Sequence, residues 1–265
     1  MPLLSTAPRG LTITTVRVAA KHLLVAVALC SGGCGQHTPD PTPVPPLSGA
    51  QSAHFASIQA GDTGPARVRL RQMIDGGDSD SRTLFLMGLA HHWDRHYTQA
   101  AGWLRRAEAA SPPYPPAAHF LGWALYHAGR PDESRAAFER HLQMAPDEGD
   151  SHFGLGVLAL ERGDFDAAER FLQRAIALQQ EDPSRAAGVA KALARLSEVR
   201  EQRDGDRQAA AALLARAVAA DQDLYEAHYQ LARLLRHLGR MAAAEAAEAA
   251  GRAAEQRVTA ARTRP

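Results

Sequence analysis

Asparagine is missing from the 265-residue chain, cysteine occurs twice, and only two of the thirty cationic side chains are lysine (Lys21 and Lys191). Each scarcity excludes something. Cys30 and Cys34 both lie near the amino terminus, so the long remainder can hold neither a disulfide framework nor a thiolate-bound metal. No stretch reaches the roughly 20 consecutive apolar residues that a membrane-spanning helix needs. No segment alternates apolar and polar residues long enough to suggest a strand. A charge excess of one sign is lacking too. The first 33 residues hold Arg9, Arg17 and Lys21 and no acid, which leaves 27 basic against 29 acidic side chains, interspersed, in the remainder. That balance gives no electrostatic reason to expect nucleic-acid binding.

What the chain has in abundance is alanine and arginine, with leucine, glutamate and glutamine. These are strong helix formers, and the composition predicts an all-α protein. The clearest pattern is a period of 34 residues. Gly88, Gly122 and Gly156 fall 34 apart, each after Met87, Leu121 or Leu155. Ala100, Ser134 and Ala168 keep the interval, as do Leu104, Phe138 and Leu172, and Ala107, His141 and Ala175. Pro112 and Pro146 close two units, and Pro183 closes a third after slipping by three. The spacing resembles the tetratricopeptide repeat (TPR), a helix–turn–helix unit of 34 residues. Small residues sit where two helices cross closely, large apolar ones fill the gaps, and proline breaks the chain between units.

The resemblance implies a right-handed α-solenoid over residues 47–262. The expected units are a degenerate one at 47–80, then 81–114, 115–148, 149–182, 183–224 and 225–262. Gly163 and Gly205 are 42 apart, so eight residues are inserted in the fifth unit. They predict a helix near 184–203 about two turns longer than the others. The last helix, 241–262, has little apolar bulk, as suits a terminal cap.

The amino-terminal end reads differently. Arg9, Arg17, Lys21 and His22 precede "LLVAVALCSGGC", about a dozen apolar or small residues, which fits the hydrophobic region of an export signal over 1–33. Five prolines between 39 and 46 then predict an extended tether over 34–46, about 40 Å long at roughly 3.1 Å per residue. Gly32 and Gly33 before Cys34, followed by that tether, resemble the processing site of a bacterial lipoprotein, although Ser31 stands where leucine is usual. The resemblance implies a lipid on Cys34, and Gly35 implies sorting to the outer membrane. An ordinary cleaved signal releasing a soluble periplasmic protein is the alternative.

"GLAHHWDRHY" at 88–97 invites a metal reading, because His92 and His96 four apart on one helix would share a face. In the repeat frame, however, Asp94 and Arg95 align with the turns at Gly61 and Gly129, so the pair is split. No metal site is expected there. No Ser/His/Asp order, phosphate-cradling loop or HExxH string occurs, so neither catalysis nor a cofactor is expected.

In the TPR family the first helix of each unit lines the concave surface. That resemblance implies a peptide-binding trough formed by Phe85, Leu89, His92 and Trp93, then His119, Trp123, Tyr126 and His127, then Phe153, Val157, Leu160 and Glu161, and last Tyr229, Arg233, Arg236 and His237. The run is rich in aromatics for a chain with only fifteen. Such a trough suits a protein or peptide segment with bulky apolar side chains. Arg233 and Arg236 are placed to engage a carboxylate at its far end. The reading is a non-enzymatic adaptor tethered to an envelope membrane through its lipid alone. A soluble periplasmic module, or an accessory subunit of a separate envelope enzyme, is the alternative, and the oligomeric state is left open.

Overall fold

The computed structural model describes residues 46–262. The expected export signal, Cys34 and the tether up to residue 45 lie outside the described residues. The described chain is all-α and repeats a helix–turn–helix unit. The pairs are α1 (Gly49–Gln59) with α2 (Thr63–Asp75), α3 (Ser81–Trp93) with α4 (Tyr97–Ala109), and α5 (Pro116–His127) with α6 (Pro131–Met144). They continue as α7 (Gly149–Glu161) with α8 (Phe165–Gln179), α9 (Ala186–Asp204) with α10 (Arg207–Ala220), and α11 (Tyr225–His237) with α12 (Met241–Arg262). Among the described residues no helix is long and apolar enough to cross a membrane.

Local chemistry sets the helix ends. Ser48 and Gln51 form a reciprocal capping box at α1, and Asp80, Asp164 and Asp206 each accept a hydrogen bond from the first turn of the helix that follows. Within units the turn between helices needs a left-handed residue, supplied by Gly61, Gly129, Gly163, Gly205 and Gly239. In the second unit the same place is taken by Arg95, with φ 61°.

The crossing of the two helices is set by glycine as well. A Cβ on Gly122 would stand 2.6 Å from the Phe138 ring, and one on Gly154 would stand 2.5 Å from its other edge. Phe138 is fully buried between them. The first helices also touch one another from unit to unit (α1 with α3, α3 with α5, α5 with α7, α7 with α9), which places them on the inner side of the stack.

Arginine also serves as a bridge between units. Arg140 holds Glu108 with bonds of 2.6 and 3.0 Å, Arg233 holds Glu201 with 2.8 and 2.6 Å, and Arg257 and Arg174 reach Asp223 and Asp147. Each pair links neighbouring units, and the forked guanidinium suits that bridging. Helix α9 has 19 residues against 12 or 13 in α3, α5, α7 and α11, so the eight-residue insertion is absorbed as extra helix before Gly205.

Candidate functional site

Three consecutive first helices, α3, α5 and α7, bring a set of aromatic side chains together. Trp93 ends α3 and is 43% exposed. Its ring centroid lies 5.9 Å from His92 and 6.4 Å from Phe120. His127, at the end of α5, is exposed and stacks on Tyr97 at 4.7 Å with 24° between planes. Trp123 is half-buried, 6.2 Å from His127, 5.7 Å from Tyr126 and 5.9 Å from Phe153 of α7. Tyr126 donates its hydroxyl to Glu161 of the next unit. The result is a continuous band of rings, partly open to solvent, running across three units.

The expected trough residues divide by depth. Trp93, His127, Arg233 and Arg236 are exposed, and His92, Trp123, Tyr126, Phe153 and Tyr229 are half-buried. Phe85, Leu89, His119, Val157 and Leu160 are instead buried, at 3%, 1%, 8%, 4% and 7% exposure. The physical reason is the contact between successive first helices. Phe85 packs against Phe120 at 5.5 Å and Tyr114 at 5.0 Å, so the next unit covers it. Tyr97 and Phe120 join the ring band without having been singled out by the repeat. Tyr97 opens a second helix, and only the fold shows that it meets His127.

The far end also differs from expectation. Arg233 is bound by Glu201 and Arg236 by Glu248, while the Tyr229 hydroxyl donates to Glu255 at 2.8 Å. The hydrogen bonds and charge of Arg233 hold the Glu201 carboxyl below the usual carboxylate range. Both guanidiniums are paired with carboxylates of their own chain, so a ligand carboxylate would compete with Glu201 and Glu248 for them.

The histidines diverge rather than converge. His91 faces His96 across the turn at 5.9 Å, while His92 points toward Tyr97, His127 and Phe120 at 5.5, 5.9 and 6.0 Å. Burial pushes both His91 and His92 down to about 4, so they stay neutral at ordinary pH. Among the described residues no three His, Cys, Asp or Glu groups gather in a metal-holding arrangement.

Deeper in the stack, Ser151 Oγ lies 2.9 Å from His119 Nδ1 and 2.8 Å from His141 Nδ1. A hydroxyl has one proton to give, so one ring accepts it and the other donates its own N–H to the same oxygen. Burial lowers His119 to about 3 and His141 to about 4. Ser151 is completely buried, so this trio is a neutral polar link between α5, α6 and α7 and is closed to a substrate.

The comparisons with known proteins agree with the repeat. A tetratricopeptide repeat model matches residues 121–186. The fold is similar to that of PilW, described as a widely conserved type IV pilus biogenesis factor, with 18% identity, 77% of this chain and 92% of that one covered, and a TM-score of 0.64. It is similar to Pseudomonas aeruginosa pilF at 15% identity over 74% of this chain and 86% of that one, with a TM-score of 0.62. A third likeness is to YrrB, described as a TPR protein with an unusual peptide-binding site, at 16% identity, 71% and 92% coverage and a TM-score of 0.50. Among curated proteins none matches the sequence. Residues 121–186 thus carry the tetratricopeptide repeat, and the described chain has the all-α fold of stacked helix–turn–helix units that such repeats form. Folds of this class offer extended surfaces for protein–protein contact.

Proposed function

We propose that this chain is a non-enzymatic adaptor that binds protein or peptide segments along the ring band of α3, α5 and α7. We further propose that a lipid on Cys34 holds it in a bacterial envelope, at the outer membrane facing the periplasm. The observation that carries the first part is the partly solvent-open band of Trp93, His92, His127, Trp123 and Tyr126 on the inner side of the stack. Aromatic rings set in a firm framework contribute a large share of binding energy because each removes much apolar surface from water at small cost in side-chain freedom. The second part rests on the sequence before the tether, where Gly32, Gly33 and Cys34 follow the apolar run.

Two experiments test the two parts separately. Full-length chain and a Trp93→Ala, Trp123→Ala variant, each tagged and purified from the native host with mild crosslinking, are compared by quantitative mass spectrometry. The reading expects partners enriched on the first and depleted at least tenfold on the second. Equal enrichment on both would remove the ring band from the account. For the anchor, metabolic labelling with a clickable palmitate analogue should mark the chain and leave Cys34→Ser unmarked. An unlabelled wild type found in the soluble periplasmic fraction would overturn the anchor and leave the adaptor role standing.

A further inference from the structure

Among the described residues three large apolar side chains are exposed, Val68, Trp93 and Met241, and Trp93 is the aromatic one. Its ring is backed by Phe120 and His92. Two residues on stands Arg95, exposed, in the left-handed turn position that glycine fills in the other five units. The acid beside it, Asp94, is engaged elsewhere, accepting from Thr63 Oγ1 at 2.6 Å and pairing with Arg67. Glu161, the acid nearest the ring band on α7, is held by the Tyr126 hydroxyl. No carboxylate among the described residues pairs with Arg95, although most arginines around the inner side and the unit junctions, Arg233 and Arg236 included, are neutralised within the chain. The Arg95 charge is felt inside the band, where it adds to burial in lowering His127.

We infer that Trp93 and Arg95 together form a docking corner for a partner segment in which a carboxylate lies next to a bulky apolar side chain. This rests on the proposed ring-band reading and names the chemistry of its partner. The indole takes the apolar side chain, and the guanidinium fork takes the two carboxylate oxygens in one plane. Charge complementarity selects this occupant. An exposed ring alone accepts any apolar group, whereas an unneutralised arginine two residues further along the chain discriminates for an acid and steers it in. The backbone supports the assignment, because a side chain held in a conformation that favours glycine is a reason to ask what that side chain does.

The test uses the full chain and a phage-displayed library of random twelve-residue peptides. Wild type should enrich peptides with Asp or Glu adjacent to Trp, Phe, Leu or Met. For a selected peptide, titration calorimetry should show about tenfold weaker binding by Arg95→Gly, and about tenfold weaker binding of the peptide whose acid is changed to Gln. The two losses should not add, and raising NaCl from 0.05 to 0.5 M should reproduce much of them. Arg95→Gly should melt no lower than wild type, so the loss is not one of folding. Enriched peptides without an acid, or equal binding by Arg95→Gly, would overturn the corner and leave the ring band intact. Equal binding by Trp93→Ala and Trp123→Ala, or no peptide enriched on wild type, would take the ring band down with it.

Discussion

Arg95 is the residue at which local conformation and side chain are most at odds. A non-glycine residue in the left-handed region costs about 1–2 kcal/mol, partly offset on replacement by the greater unfolded-state freedom of glycine. Arg95→Gly should therefore stabilise the chain by about 1 kcal/mol, a rise of roughly 2–4 °C in Tm for a chain of this size, measured by calorimetry. The opposite holds at Gly122, where an added methyl meets a ring that Gly154 already confines. Gly122→Ala should destabilise by about 1–3 kcal/mol, seen as a lower denaturant midpoint. The buried histidines predict a pH dependence. His119 at about 3 and His91, His92 and His141 at about 4 in the folded state compare with 6.5 for an ordinary histidine. Between those values the unfolded chain binds more protons, so stability from these groups is complete above pH 6.5 and is lost as pH falls toward 4. Thermal melts from pH 7.5 to 4.5 should show Tm falling by several degrees, most steeply below 6; a flat profile would contradict the neutral buried rings.

At the scale of the element, the 34-residue spacing made helices, turns and the long α9 legible, because steric needs recur at fixed intervals. Gly88, Gly122 and Gly156 mark crossings, and Asp94–Arg95 falls where Gly61 and Gly129 turn the chain. Depth was not legible. Periodicity tells which face Phe85 or Val157 occupies but not how far the following helix rides over it. Pairing at a distance was hidden for the same reason: Glu201 of α9 meets Arg233 of α11, and the repeat itself offers no rule for that partner. Such bridges join units without contributing much stability, since exposed pairs are worth about 0–1 kcal/mol. A double-mutant cycle of Arg233→Ala and Glu201→Ala should give a coupling below about 1 kcal/mol in denaturant titrations.

Over the whole described chain, the ring band is where the regular repeat is put to specific use. Glycine, alanine, leucine and Phe138 fill the crossings, but Trp93, Trp123, Tyr126 and His127 gather on two neighbouring first helices and leave apolar surface open to water. The central claim is that this inner face, and not the outer one, receives the partner. The most direct measurement places a photo-crosslinking amino acid at Trp93 in one strain of the native host and at Val68, 60% exposed on a second helix, in another. The account predicts a discrete adduct from position 93 that weakens when Tyr126 is changed to Ala, and no such adduct from position 68. The same adduct from both positions, or none from position 93 in a folded chain, would contradict it.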